Sequence, residues 1–246
     1  MVKLSVNVNK VATVRNSRGG AAPSVAEAVS ACVAAGAPGI TVHPRADARH
    51  ITAADVREIA ALLSAMTPHV EYNIEGDPRP DLLALVHEVR PDQCTLVPVH
   101  PGEITSQAGW SPETPRRALA GVVAELRNAG IRVSLFVDPA EEPIRWAADL
   151  GADRIELYTE PFARAFERGA REGRASFDVY ARAATLAHSL GLGVNAGHDL
   201  DLANLVLFRE LPHLDEVSIG HALIGHALFV GLSQSVCDYL VVLSEG

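Results

Sequence analysis

The chain has 246 residues, with 21 basic side chains against 30 acidic ones and a formal charge of −9. That balance argues against a nucleic-acid or anionic-membrane binder, since both need a basic surface to meet phosphate. Hydrophobic residues make up 48% and charged residues 21%, which excludes disordered and low-complexity classes; with only 5% aromatics the core must be built from Ala, Val, Leu and Ile, a mixture suited to parallel strands under helices.

In chain order, Met1-Val2-Lys3-Leu4-Ser5 runs straight into alternating residues, without the apolar stretch of a signal peptide. Cys32, Cys94 and Cys237 have neither metal nor disulfide spacing, so a reducing cytoplasm is expected. Short apolar runs bounded by turn residues predict eight strands, starting near Lys3, Gly39, Val70, Gln93, Arg132, Arg154, Gly193 and Glu216. Between them, helical periodicity predicts helices over 24–35, 53–66, 79–89, 113–129, 140–150, 177–190 and 202–210, with a closing apolar helix over 222–243. That last segment is long enough to span a bilayer, but His226, Gln234 and Asp238 argue for a core helix. Ser24 with Glu27 reads as a capping box, Ser111-Pro112-Glu113 as a helix start, and Gly36, Gly130, Gly151 and Gly191 as helix ends.

The strand starts recur about every 30 residues, the length of a strand plus crossover helix, and eight such units predict a (β/α)8 TIM barrel with a parallel eight-stranded core. An open doubly wound sheet is the rival, but no Gly-x-Gly-x-x-Gly follows the first strand. No linker interrupts residues 1–246, so a single catalytic domain is expected. Long connections at 10–23, 101–110 and 161–176 fall on the βα side, where barrels build their sites, and Gly19-Gly20 and 164–174 read as mobile lids.

Barrel strands point alternate side chains into a lumen normally filled by branched aliphatics. Here one face carries Ser5, Asn7 and Asn9 on the first strand, Thr41, His43 and Arg45 on the second, Glu71, Asn73 and Glu75 on the third, and Glu156, Tyr158 and Glu160 on the sixth. Buried carboxylates and an imidazole are too costly to desolvate unless they pair or do chemistry, which singles out His43, Glu71 and Glu156 and leaves Asn73, Glu75, Tyr158 and Glu160 as supporting groups. Strands seven and eight end in Asn195-Ala196-Gly197-His198 and Ile219-Gly220-His221, where glycine lets a backbone approach an anion at a helix start. Lys10, Arg18, Arg45 and His50 add cations at the same end, with Arg15 and Arg49 as either further cations or solvated surface. Such clustering in an acidic chain implies an anionic substrate with more than one phosphate. The residue types would also suit a metal, yet there is no His-x-His pair and the cations would compete, so no metal is expected.

Six motifs carry a resemblance: Ser5-Val6-Asn7-Val8-Asn9-Lys10-Val11-Ala12-Thr13, Gly39-Ile40-Thr41-Val42-His43-Pro44-Arg45, Asn73-Ile74-Glu75-Gly76, Ile155-Glu156-Leu157-Tyr158-Thr159-Glu160, Val194-Asn195-Ala196-Gly197-His198 and Ile219-Gly220-His221-Ala222. Together they resemble the pyridoxine 5′-phosphate synthase family of the vitamin B6 pathway. The resemblance implies a cofactor-free condensation of two phosphorylated small molecules, 1-deoxy-D-xylulose 5-phosphate and 3-amino-2-oxopropyl phosphate, to pyridoxine 5′-phosphate, phosphate and water. It implies general bases at His43 and Glu71, a general acid at His198 and a transition-state stabiliser at Glu156. It gives Asn7, Arg18, Asp199, Gly220 and His221 to the amino-ketone phosphate, and Asn9, Lys10, Arg45, His50 and Thr105 to the pentulose phosphate. It also implies a homo-oligomer, an octamer. Many members have Asp-His where this chain has Asn9-Lys10, and glycine at Asp199, which puts in doubt any proton transfer by that pair. A metal-dependent sugar-phosphate aldolase or isomerase on the same barrel is the alternative reading.

Overall fold

The computed structural model describes residues 1–99 and 108–244. Eight strands, β1 (Lys3–Asn7), β2 (Gly39–Val42), β3 (Glu71–Gly76), β4 (Gln93–Leu96), β5 (Arg132–Val137), β6 (Arg154–Tyr158), β7 (Gly193–Gly197) and β8 (Leu214–Ile219), pair in parallel in sequence order, and β8 closes on β1. The barrel expected from the spacing is therefore present. Its strand starts follow the apolar pattern except at β3 and β8, which begin at Glu71 and Leu214 rather than at Val70 and Glu216.

Around the barrel lie α1 (Asn9–Asn16), α2 (Val25–Ala34), α3 (Ala53–Ser64), α4 (Pro80–Val89), α5 (Arg116–Asn128), α6 (Glu141–Asp149), α7 (Glu160–Arg168), α8 (Ala170–Ser189), α9 (Leu202–Phe208), α10 (His221–Val230) and α11 (Leu232–Ser244). One face of each strand belongs to the apolar layer beneath these helices: Leu4 and Val6 on β1, Ile40 and Val42 on β2, Val133 and Leu135 on β5, and Ile155 and Leu157 on β6 are all fully buried there. Each such side chain contributes about 1.5–3 kcal/mol by leaving water.

The opposite face is polar, as the alternation predicts. Ser5 Oγ and Thr41 Oγ1 lie 2.6 Å apart, Asn73 Nδ2 donates to Thr41 Oγ1 at 3.3 Å, and Thr95 Oγ1 donates to Asn73 Oδ1 at 3.0 Å. These bonds link β1 through β4 across the lumen and supply the partners without which buried polar groups would be costly. Val97, Phe136 and Tyr158 form a separate small apolar cluster.

Several connections differ from the sequence pattern. The stretch read as a loop at 10–23 begins with α1, an eight-residue helix with only Val11 and Ala12 buried. Too little apolar periodicity marked it; tertiary bonds hold it, with Arg15 NH2 on Asp55 Oδ2 at 2.9 Å and Asn16 Nδ2 on the His50 carbonyl at 2.8 Å. Arg15 is thus tied to α3 and is not a solvated cation.

The second stretch read as a loop, 161–176, is helical. Pro161 stands in the first turn of α7, Gly169 at φ +134° ends it, and α8 follows at once, so 164–174 is two helix segments rather than an irregular loop. α5 starts at Arg116 rather than 113, because Ser111 Oγ accepts the Glu113 N–H at 3.2 Å in a preceding turn. The closing apolar segment is two helices, broken at Gly231 with φ +87° and linked by His226 Nε2 and Asp238 Oδ2 at 2.7 Å. Among the described residues no helix is long and apolar enough to cross a membrane.

Candidate active site

The C-terminal ends of the strands open into a cavity of about 800 Å³. His43 reaches it from the end of β2, Glu75 from β3, Glu156 from β6 and His198 from the residue after β7. A (β/α)8 barrel places its chemistry at this end because the βα connections converge there.

Glu71 does not reach it. It is the first residue of β3, four residues before Glu75, which sets it about 13 Å nearer the N-terminal end of the barrel at the usual strand rise. There its carboxylate ion-pairs with the Arg132 guanidinium and, at 3.4 Å, with Lys3 Nζ. Glu71 and Glu75 share a face, as the alternation requires, but only Glu75 faces the cavity. The place at the cavity expected for Glu71 is occupied by Glu75.

His43 is held on both sides. Its backbone N–H donates to Asn9 Oδ1 at 2.9 Å, and its Nδ1 lies 3.8 Å from Glu75 Oε2. Its Nε2 is buried with no hydrogen-bond partner among the described residues. Burial, helped by repulsion from His50, Arg45, His198 and Arg79, pushes the imidazole down to about 3, so it is neutral near pH 7 and the contact with Glu75 is no ion pair. Burial likewise pushes Glu75 up to about 8, with Glu216 adding repulsion and the Ser218 hydroxyl, donating to Oε1 at 3.5 Å, offsetting part of it. Glu156 is raised well above the ordinary carboxylate range by burial and by Glu75 and Glu216. His198 is lowered by burial, against the pull of Asp199. Burial thus disfavours charge on both imidazoles and on both carboxyl groups of the cavity, a set poised to exchange protons with a charged ligand.

Basic side chains rim these groups. Lys10, Arg45, Arg49, His50 and Arg164 line the mouth; Arg49 Nε donates to Asp47 Oδ2 at 2.8 Å and Arg164 Nε to Glu160 Oε1 at 2.9 Å. On the far side Gly220 precedes α10, and Gly220, His221 and Ala222 line the wall, so the first N–H groups of a ten-residue helix border the cavity. A side chain at Gly220 would sit 3.1 Å from Asn7, and one at Gly197 would collide with the Glu156 carboxylate. At both positions an added Cβ would crowd a residue of the cavity.

The remaining expected residues divide. Asn7 lines the cavity, donating from Nδ2 to Glu75 Oε2 at 3.5 Å and accepting the Asn9 N–H on Oδ1 at 3.1 Å. Asn9 also lines it, although its Oδ1 is engaged by His43. Asp199 borders it with an exposed side chain on left-handed backbone at φ +57°. Arg18 is exposed in the turn after α1 and is not among the cavity residues. Thr105 lies outside the described residues. Arg79 was missed: its guanidinium donates to the Pro44 carbonyl and pairs with Asp77 at 2.6 Å, bracing the turn after His43. Nothing in the helix-start pattern around Arg79 signals that reach. No three His, Cys, Asp or Glu side chains among the described residues converge on a metal position.

A family model described as pyridoxal phosphate biosynthesis protein PdxJ matches residues 4–245. The pyridoxine 5′-phosphate synthase of Christiangramia forsetii is 52% identical over 244 residues, covering 99% of this chain and all of its own. That of Leptospira biflexa is 50% identical over 256 residues, covering 100% of this chain and 98% of its own. Among solved structures, phosphoribosyl anthranilate isomerase from Thermus thermophilus has TM-score 0.59 at 17% identity, covering 99% of both chains. The YdjI aldolase of Escherichia coli K12 has TM-score 0.62 at 11% identity, covering 99% of this chain and 89% of that one. At such identities the structural likeness speaks for the barrel alone.

Proposed function

The chain belongs to the PdxJ family of pyridoxal phosphate biosynthesis proteins and is an enzyme of vitamin B6 ring formation, and from that premise we propose how its cavity works. The substrates are 1-deoxy-D-xylulose 5-phosphate and 3-amino-2-oxopropyl phosphate, which condense to pyridoxine 5′-phosphate with loss of inorganic phosphate and water. The observation that carries this reading is the convergence of His43, Glu75, Glu156 and His198 beneath a cationic rim on one side and a helix N-terminus on the other. Imine formation, phosphate elimination and ring closure are proton transfers, which such groups accelerate without a cofactor.

His43 accepts a proton at its open Nε2 and Glu75 serves as the second base in place of Glu71. A substrate amine or iminium beside Glu75 offsets the cost of its buried charge, so binding itself releases the carboxylate for use. His198 donates a proton to a leaving oxygen, and Glu156 faces the positive charge that develops on the ring nitrogen. Asn7, Gly220, His221 and the backbone at Asp199 hold the amino-ketone phosphate. Lys10, Arg45 and His50 hold the pentulose phosphate, with Asn9 acting on it through His43. Arg18 stands outside the lining of this cavity.

Metal-stripped protein given both substrates in the presence of chelator releases phosphate and gains pyridoxine absorbance. Absence of turnover until a divalent metal is restored would overturn the cofactor-free mechanism.

The same reading makes residues 1–246 one catalytic domain that works in the cytoplasm, a compartment suited to the free thiols of Cys32, Cys94 and Cys237. It also includes self-association: Leu228 and Phe229 on α10 are 77% and 89% exposed, an apolar surface for another copy. Sedimentation is expected to give an octamer, and a monomer at micromolar concentration would remove that part.

A further inference from the structure

We propose that Thr159 is a positioning residue for this reaction, its hydroxyl clamping the tip of β7 so that the His198 imidazole keeps its place over the cavity. The proposal rests on the reading of His198 as general acid.

Thr159 is fully buried and occupies the cap position of α7, where a threonine ordinarily turns its oxygen onto the first N–H groups of its own helix. Here it makes no such bond. The hydroxyl faces the neighbouring strand, its single proton shared between the Gly197 carbonyl at 2.6 Å and the His198 carbonyl. The Thr159 backbone N–H reaches the same Gly197 carbonyl at 3.1 Å. One residue thus grips two successive carbonyls at the point where β7 ends.

That point is strained. His198 and the next residue, Asp199, both have left-handed backbone, at φ +83° and +57°. Non-glycine residues persist in that region only where their surroundings over-determine them, and such strain gathers at functional sites. The His198 ring is also cradled, its centroid 4.9 Å from Phe136 and 5.5 Å from Tyr158. Tyr158 is fixed in turn by the Tyr180 hydroxyl, which donates to its carbonyl at 2.5 Å. Glu156, Tyr158 and Thr159 follow one another at the end of β6, so one short segment sets both the carboxyl group and the position of the imidazole. Loss of the hydroxyl alone would leave the backbone bond to Gly197 in place while removing the Thr159 contact to the His198 carbonyl. The expected failure is one of aim rather than of folding.

The test is steady-state kinetics with both substrates on Thr159→Val, Thr159→Ser, His198→Ala and the Thr159→Val/His198→Ala pair. Thr159→Val should lower kcat by about 10- to 100-fold, the scale of losing a near-attack geometry, with both KM values within about twofold. Thr159→Ser keeps the donor and should stay within about threefold of the unsubstituted enzyme, and adding Thr159→Val to His198→Ala should cost nothing further, because the two act as one unit. Unchanged kcat in Thr159→Val, a change confined to KM, or losses that multiply in the pair would overturn the clamp. Unimpaired turnover in His198→Ala would instead remove the general acid itself and the proposal with it, an outcome distinct from a silent Thr159→Val. If Thr159→Val fails to fold, the His198 ring resonances of Thr159→Ala decide: a spectrum unchanged from the unsubstituted protein overturns the proposal, and a shifted or multiple ring signal supports it.

Discussion

Asn9 Oδ1 accepts the backbone N–H of His43 at 2.9 Å, so a residue at the start of α1 sets the position of the imidazole at the end of β2. Aspartate at this position would offer the same acceptor oxygen as asparagine. Asn9→Ala should cost about 1–3 kcal/mol of transition-state stabilisation, the scale of an orphaned buried donor, with the larger share in kcat. Asn9→Asp should stay within about tenfold of the unsubstituted enzyme. Equal loss in both variants would show that the amide, not the acceptor oxygen, is what matters at this position.

Glu71 and Glu75 stand on one face of β3 and should respond oppositely to the same substitution. Glu75→Gln removes a base from the cavity and should lower kcat by about 10² to 10⁴ with no loss of Tm. Glu71→Gln leaves Arg132 and Lys3 without their carboxylate at the far end of the barrel. It should keep near-normal kcat and lose about 1–3 kcal/mol of stability, read as a lower urea midpoint. A dead but stable Glu71→Gln would return the catalytic role to that residue.

This pair also shows what was legible in the sequence. Alternation identifies a face with certainty, because the period of a strand is two, but it is blind to depth along the strand, and depth separates Glu75 from Glu71. The rule that barrel sites lie at strand C-terminal ends favours Glu75, and the Asn73-Ile74-Glu75-Gly76 motif already contained it. The strands were legible because Leu4 and Val6 or Ile155 and Leu157 must be buried whatever follows them. α1 was not, since it is held by bonds from Arg15 to Asp55 and from Asn16 to His50, partners far away in the chain. α7 hides for a related reason: its charged surface is laced by pairs such as Arg164 with Glu160, and only Phe162, Ala163 and Ala165 are buried.

Gly220 stands where a Cβ would press on Asn7 at 3.1 Å, and Asn7 in turn donates to Glu75. Gly220→Ala should therefore raise KM for the amino-ketone phosphate, because the helix N-terminus is pushed off its anion, while the pentulose phosphate KM moves little. Gly197→Ala acts on the Glu156 carboxylate instead and should lower kcat. Separate titrations of the two substrates distinguish these outcomes, and identical kinetic signatures would show that the two glycines do not serve different halves of the cavity.

The buried titratable groups give the fold a pH dependence whose sign can be worked out. Burial raises Glu75 from 4.5 to about 8 and Glu216 from 4.5 to about 7. Between those limits the native state holds protons that the unfolded chain has released, so this contribution is complete below pH 4.5 and is lost as the pH rises toward 8. His43 and His50 act the other way: burial lowers them from 6.5 to about 3 and about 4, so the unfolded chain takes up protons that the native state refuses. Their contribution is complete above pH 6.5 and is lost as the pH falls through those lowered values. The two slopes oppose each other between 4.5 and 6.5 and act singly outside that window, so the ligand-free enzyme should be most resistant to urea inside it. Glu75→Gln removes one proton from the alkaline limb, and its urea midpoint should fall less steeply than that of the unsubstituted enzyme between pH 6.5 and 8. Parallel midpoint curves over that range would mean that Glu75 is already ionised before substrate is added, and that substrate binding is not what releases its carboxylate.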